Sequence, residues 1–396
     1  MWVLACSALV LSFDCPAGTQ FTERAVALEG QARGVARWCA RPASAGAVRH
    51  GPFESWTLDG SPVEQGSYEN GLESGSWRHY YRNGHLEWTG ERYLGVNVGA
   101  WSYFHENGQK SAEGQLLEGY REGVWQEWNA QGALIRERSY QDGQLDGPAT
   151  DFYPDGQPFR SGSYEDNERQ GLWEWFHFGG GLRARGKFLD GRRNGHWVLY
   201  DEAGSTLQET QWQSGVVRSR RWLVECPETA RWVGDVYPMG RARFCKRPDP
   251  NGRLRNDGPW VSWQETGEIE AIGFVADHRS HGVFSMWHPT GAKKSETRFV
   301  NGSKEGESLS WHPRGQLAII ATYKNNQEDG RWVSWFSNGN PQSRGTFRAG
   351  KEHGDWEFWY STGQMAQRGR FENGKPVGRW QEWDPDGALV KDEVKP

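Results

Sequence analysis

Large apolar side chains in this chain come as aromatic pairs three residues apart, set in polar stretches and punctuated by glycine, and the pattern repeats every 24 residues. Taking the leading glycine of each unit as position zero, the series runs Gly51, Gly75, Gly99, Gly123, Gly147, Gly171, Gly195, then Gly258, Gly282, Gly306, Gly330, Gly354 and Gly378. Position +2 is Trp or Phe, as in Trp77, Trp101, Trp125, Trp332 and Trp356, with Ala149 and Ser308 departing. Position +5 is aromatic in all thirteen units, among them Tyr80, Phe104, Trp128, Trp335 and Trp359. Each unit has another glycine at +9, including Gly84, Gly108, Gly339 and Gly363, and many have one at +20, as in Asn70-Gly71 and Asn373-Gly374. A fixed period of this size marks a repeat architecture.

Each unit reads as two short strands and two turns. Asn83-Gly84 and its equivalents predict a hairpin with a primed turn, because Asn and Gly accept the positive φ such a turn needs. Positions +2 and +5 have opposite parity, so both faces of the sheet carry aromatic rings. Those rings can cover glycines on a neighbouring strand, at Gly66, Gly90, Gly114, Gly162, Gly186, Gly345 and Gly369. A lone hairpin is marginal, and stacking supplies the core. The predicted fold is all-β: an elongated, solenoid-like antiparallel meander of thirteen 24-residue hairpin repeats in two arrays. The 36% hydrophobic share is weighted to Trp, Tyr and Phe, which predicts a thin object without a deep aliphatic core. The turn glycines exclude helices of useful length.

What interrupts the period in the middle resembles what precedes it at the start. Cys15-Pro16, Trp38-Cys39 and Pro42 lead to Gly51-Pro52-Phe53, while Cys226-Pro227, Phe244-Cys245 and Pro248 lead to Gly258-Pro259-Trp260. This implies a duplicated module: a leader over residues 1–14, a cysteine cap over 15–50, seven repeats over 51–222, a second cap over 223–257, and six repeats with a tail over 258–396. Pairing Cys15 with Cys39 and Cys226 with Cys245 closes loops of about twenty residues, each adding roughly 3 kcal/mol. Zinc fits less well, because no paired CxxC or His spacing is present. The remaining Cys6 lies in an apolar start from Trp2 to Phe13, which reads as a lipoprotein leader with Cys6 as its lipidation site or as a truncated ordinary signal peptide. Both readings imply export to the periplasm, outer membrane or cell surface, as do the disulfides.

A net charge of −5 with interspersed signs leaves no basic field for nucleic acid. An array presents like residues at intervals, whereas catalysis needs unlike residues converging, so no enzyme, metal or cofactor is expected. His105, His177, His288 and His312 share position +6 with Tyr81, Tyr153, Phe336 and Tyr360, which marks a half-exposed structural position. Gly179-Gly180-Gly181 falls at a hairpin turn with no helix after it, so it is not a phosphate cradle. Two functions remain: a scaffold for an unknown protein partner, or a polysaccharide binder whose aromatic ladder stacks on envelope or matrix glycan. Membrane attachment would come only through lipid on Cys6. Rings lying open in a row favour glycan; rings interlocked over glycines favour the scaffold.

The unit written by Gly75, Trp77, Tyr80, Asn83-Gly84, Tyr93 and Gly95 resembles the bacterial variant of the MORN repeat, as found in YwqK-like antitoxin components. The resemblance covers most of residues 51–222 and 258–396. It implies successive antiparallel hairpins and a binding or scaffolding role. The antitoxin role is an alternative that the expected export opposes, and the cysteine caps depart from the simple repeat.

Overall fold

The computed structural model describes residues 14–28, 31–43, 46–201, 204–222, 226–234, 242–265 and 269–396. Cys6 and the leader before Asp14 lie outside the described residues. The described regular structure is all β, in two antiparallel meanders of 17 and 14 strands, the first ending at Trp222 and the second starting at Arg231. The two arrays are therefore separate sheets. By contact density the chain divides into two compact units, Met1–Trp125 with Tyr140–Gly143, and Gln126–Ser139 with Gln144–Pro396.

One repeat shows why the 24-residue sequence folds as it does. Strands Leu72–Tyr80 and Leu86–Tyr93 pair with Gly75 opposite Arg92 and Trp77 opposite Gly90. Toward the preceding strand the register jumps from Gln65↔Arg78 to Ser67↔Ser74, so Gly75, Ser76 and Trp77 bulge opposite Gly66. The bulge takes φ +77° at Gly75 and re-aims the Trp77 indole onto Gly66. A Cβ at Gly66 would stand 2.2 Å from Trp77 Cδ2, so the ring requires a glycine beneath it. The same relation recurs at Gly90 with Trp101, Gly114 with Trp125, Gly162 with Trp173, Gly345 with Trp356 and Gly369 with Trp380.

The two turns exchange the roles expected of them. At Asn83-Gly84 only the glycine has positive φ; Gly84 N donates to Tyr81 O at 2.9 Å and Tyr81 N to His85 O at 2.8 Å. This is a four-residue turn closed by a left-handed glycine, not a primed turn, and the register shift between His79 and Tyr80 is its bulge. The primed turn lies at the other end, where Asn70 (φ 51°) and Gly71 (φ 87°) are both left-handed. Asp166-Asn167 and Asn325-Asn326 make the same turn without glycine, because Asn and Asp tolerate that region.

The caps extend the arrays as sheet. Strand Gln31–Ala43 pairs with Gly46–Thr57, setting Trp38 opposite Phe53; Ala242–Pro248 pairs with Leu254–Trp263, setting Phe244 opposite Trp260. Disulfides join Cys15 to Cys39 and Cys226 to Cys245. In each cap the proline after the first cysteine presses on the leading glycine of the array: a Cβ on Gly51 would meet Pro16 Cδ at 2.8 Å, and one on Gly258 would meet Pro227 Cδ at 3.0 Å.

The expectation of no deep aliphatic core needs correction within the second unit. There Leu309, Trp311, Leu317, Ile320, Val333 and Trp335 of the second array bury against Tyr153 and Phe159 of the first. The +3 and +14 positions of these repeats, Leu309 paired with Ile320 and Val333 on the next strand, are aliphatic where most other units carry polar residues. The division into compact units falls inside the first array, and Tyr153 and Phe159, which share this core, lie in the second unit.

Candidate functional site

The rings singled out by the repeat are largely closed to solvent. Trp77 is 0% exposed, Trp125 1% and Trp356 3%, with Trp101 also buried and Trp332 half-buried. Several indole N–H groups are committed in a regular way: Trp125 Nε1 donates to Gln115 O (3.0 Å), Trp173 Nε1 to Ser163 O (3.0 Å) and Trp356 Nε1 to Thr346 O (3.1 Å), ten residues back in each case, whereas Trp101 Nε1 donates to Val98 O and Trp77 Nε1 is buried without a partner among the described residues. The +5 rings lie on the other face, where Tyr80, Phe104, Trp128 and Trp359 are half-buried and Trp335 is in the core between the arrays.

Position +17 completes this spine and carried no signal as a ring position, because Arg92 and Leu116 stand there as well as aromatics. Tyr68 meets Phe53 and Trp77 edge to face at 5.4 and 5.2 Å, and Phe347 meets Trp332 and Trp356 at 5.3 and 5.1 Å. Such contacts add roughly 0.5–1.5 kcal/mol beyond burial. In the first array the residue two before the leading glycine is often Arg, capping the rings: Arg49 over Phe53 at 5.1 Å, Arg121 over Trp125 at 4.3 Å and Arg193 over Trp197 at 4.8 Å.

The +6 histidines and tyrosines are stitches between successive units. Tyr81 Oη donates to Phe104 O (2.7 Å), Tyr360 Oη to Trp383 O (2.9 Å), and the ring Nε2 of His288 and His312 donates to Trp311 O and Trp335 O (both 2.9 Å). The position opens the hairpin turn, so its side chain reaches the carbonyl 23 residues on. His177 is buried at this position rather than half-exposed. Burial, then Lys293 and Arg183, push its imidazole down to about 3, so it is neutral at ordinary pH. The turn glycines Gly84 and Gly108 sit in open hairpin ends, while Gly339 and Gly363 press on the first array within the second unit. A Cβ on Gly363 would come 2.2 Å from Ala130 Cβ.

Asp151 gathers three arginines: Arg160 Nε at 2.6 Å, Arg138 Nη2 at 2.8 Å and Arg136 Nε at 3.4 Å. Burial alone would raise its carboxyl, but the three guanidiniums outweigh burial and hold it below the usual carboxylate range. Arg138 occupies the position where other units have the ring-covered glycine, and Ala149 replaces the ring that would cover it. The exchange of glycine and Trp for Arg and Ala thus converts one rung from stacking to ion pairing.

The exposed surface is uneven. Along the primed turns of the first unit Leu72, Tyr93, Leu94, Val96, Leu117 and Tyr120 are exposed, Tyr93 and Tyr120 at 62% each. Successive turns are bonded to one another, Gly95 N to Glu73 O at 2.8 Å and Gly119 N to Asn97 O at 2.9 Å, which lines these side chains up as a strip. The same positions in the next two repeats hold Gln144, Glu165 and Glu168, which interrupt the strip before exposed apolar side chains return at Leu189 and Val216. No group of three or more metal-ligating residues occurs among the described residues.

Three windows of the second array match a repeat family. The model described as MORN repeat variant covers residues 304–325, 328–349 and 352–373, each window opening two residues before a leading glycine. No curated protein matches the chain. Among solved structures it is similar to a chain of the Photorhabdus luminescens Tc holotoxin pore, at 10% identity and a TM-score of 0.18, over 96% of this chain and 22% of that one. A likeness at that TM-score carries no argument.

Proposed function

We propose that the chain is a non-enzymatic, exported repeat scaffold that binds a protein partner through the strip from Leu72 to Tyr120. The observation that carries this reading is the row of exposed apolar and tyrosine side chains on mutually bonded turns. Contiguous exposed apolar surface on a folded protein marks an interaction site, and tyrosines supply contact area with little rotamer entropy to lose. The repeat match supports a scaffold, and the two disulfides are compatible with an oxidising compartment. The glycan reading through an aromatic ladder loses its support, since the +2 rings interlock over glycines with edges and faces engaged.

A pulldown with the full chain from envelope fractions, beside a polysaccharide array, tests this. A saturable protein partner whose capture is lost in a Tyr93→Lys, Tyr120→Lys double variant with unchanged circular dichroism is the expected result. Retention by neutral polysaccharide with no protein partner, or capture undiminished in the variant, would reject the reading.

A further inference from the structure

Within the second unit a cavity of about 240 Å³ lies beside the core shared by the two arrays. Its floor is the first array. A cross-strand row runs Arg160↔Trp175, Trp175↔Ala184, Ala184↔Leu199 and Leu199↔Gln208, and all five residues line the cavity. Its wall is the second array, with Trp287, Thr290, Gly291 and Arg314. The lining holds five arginines and no Asp or Glu. Arg160 is neutralised by Asp151, but Arg183 is not neutralised in this way: 6% exposed, it pairs with no carboxylate among the described residues, and its Nε is buried without a hydrogen-bond partner. The Phe159 ring lies 5.8 Å from the Arg183 guanidinium.

An enclosed guanidinium without a counter-ion is unfavourable. Burial lowers the Arg183 and Arg169 pKa values; Tyr153 partly offsets this at Arg183, while Arg160 adds to it at both. A buried cation of this kind belongs beside an anion. The repeat gives no reason for it: the equivalent +12 position is Phe159 in the preceding unit and Leu207 in the following one, either of which would suit an apolar wall. Register places Arg183 as the extra residue of a bulge between Ala184 and Leu182, which turns it toward the floor row. Around it Trp175, Trp197, Trp212 and Trp287 offer indole surface. Few pockets combine planar apolar walls with several guanidiniums and no acid, and that chemistry matches one ligand class.

We propose that this cavity binds an anion carried on a sugar-sized ring, a carboxylate or phosphate held by Arg183 with the ring against the indoles. The site is independent of the exposed strip and of its partner. Calorimetric titration of the full chain with glucuronate, glucose 6-phosphate, glucose and inorganic phosphate tests it, at low and high salt. One or both ring anions should bind at least tenfold more tightly than inorganic phosphate, weakening with salt, while glucose gives no heat; the stronger of the two identifies the anion. Arg183→Met should weaken binding at least tenfold while leaving the protein as stable or more so. Should that variant fail to fold, Arg314→Glu at the exposed rim should still weaken binding several-fold. Equal binding of glucose and glucuronate, inorganic phosphate matching the ring anions, or no anion binding by the wild type would overturn the proposal. So would wild-type affinity in Arg314→Glu.

Discussion

Thr297 Oγ1 and Ser308 Oγ lie 2.7 Å apart at the rung where most repeats set a glycine against an aromatic ring. Here the ring and the glycine are lost together and a hydrogen bond replaces the stacking, whereas at the next rung Ala321 stands opposite a retained Trp332. Arg138 with Ala149 is a second such exchange.

Coupling between the two positions should therefore be measurable. Gly345→Ala drives a Cβ to 2.2 Å from Trp356 Cδ2 and should cost about 1–3 kcal/mol. The double variant Gly345→Thr, Trp356→Ser should be more stable than the sum of its single variants by about 1 kcal/mol or more in denaturant unfolding. Additive effects would show that ring and glycine are chosen separately.

His177 makes stability fall on the acid side. Its folded value of about 3 lies below the usual 6.5, so the unfolded chain takes up a proton that the folded chain refuses. Stability declines as pH drops from about 6.5 toward 3, by up to about 1.4 kcal/mol per unit. Gln264 fills the equivalent position and donates to Trp287 O, so His177→Gln keeps the stitch without the titration. The variant should show a flatter midpoint-against-pH curve over that window, and an unchanged slope would place the acid sensitivity elsewhere.

Asp151→Asn should destabilise by about 3 kcal/mol, because three guanidiniums then face a neutral amide. The sign with pH follows from the depressed carboxyl: its contribution is full above about 3.8 and disappears as pH falls through the lower folded value. Urea midpoints of wild type and variant should converge at low pH. A constant gap from pH 7 down to pH 2 would contradict the ion cluster.

Ala349 occupies the first left-handed position of a primed turn, at φ 50°, where most repeats use Asn or Asp. Ala349→Asn should raise stability by about 0.5–1 kcal/mol. The matching substitution Ser337→Asn at the other hairpin end, where the residue before Asn338 is right-handed, should have no such effect.

Reduction should separate the caps from the arrays. The disulfides close loops with separations of 24 and 19 residues, and losing each should cost roughly 3 kcal/mol. Non-reducing peptide mapping should recover Cys15 joined to Cys39 and Cys226 joined to Cys245.

The period, the strands, the ring-over-glycine rungs and the cap disulfides follow from the sequence alone, because each is a contact between residues at fixed short separations along a meander. Even there, one register detail escaped: Asn-Gly at both turns looks the same on paper, and only the bulge at the hairpin end shows which turn is primed. What folding at long range decided is the meeting of the two arrays. Leu309, Ile320 and Val333 depart from the repeat only slightly, and nothing in a periodic chain says which face of one sheet will cover another. Arg183 carried no mark in the sequence either, since its significance comes from being enclosed by residues as distant in the chain as Arg314 and Gly315.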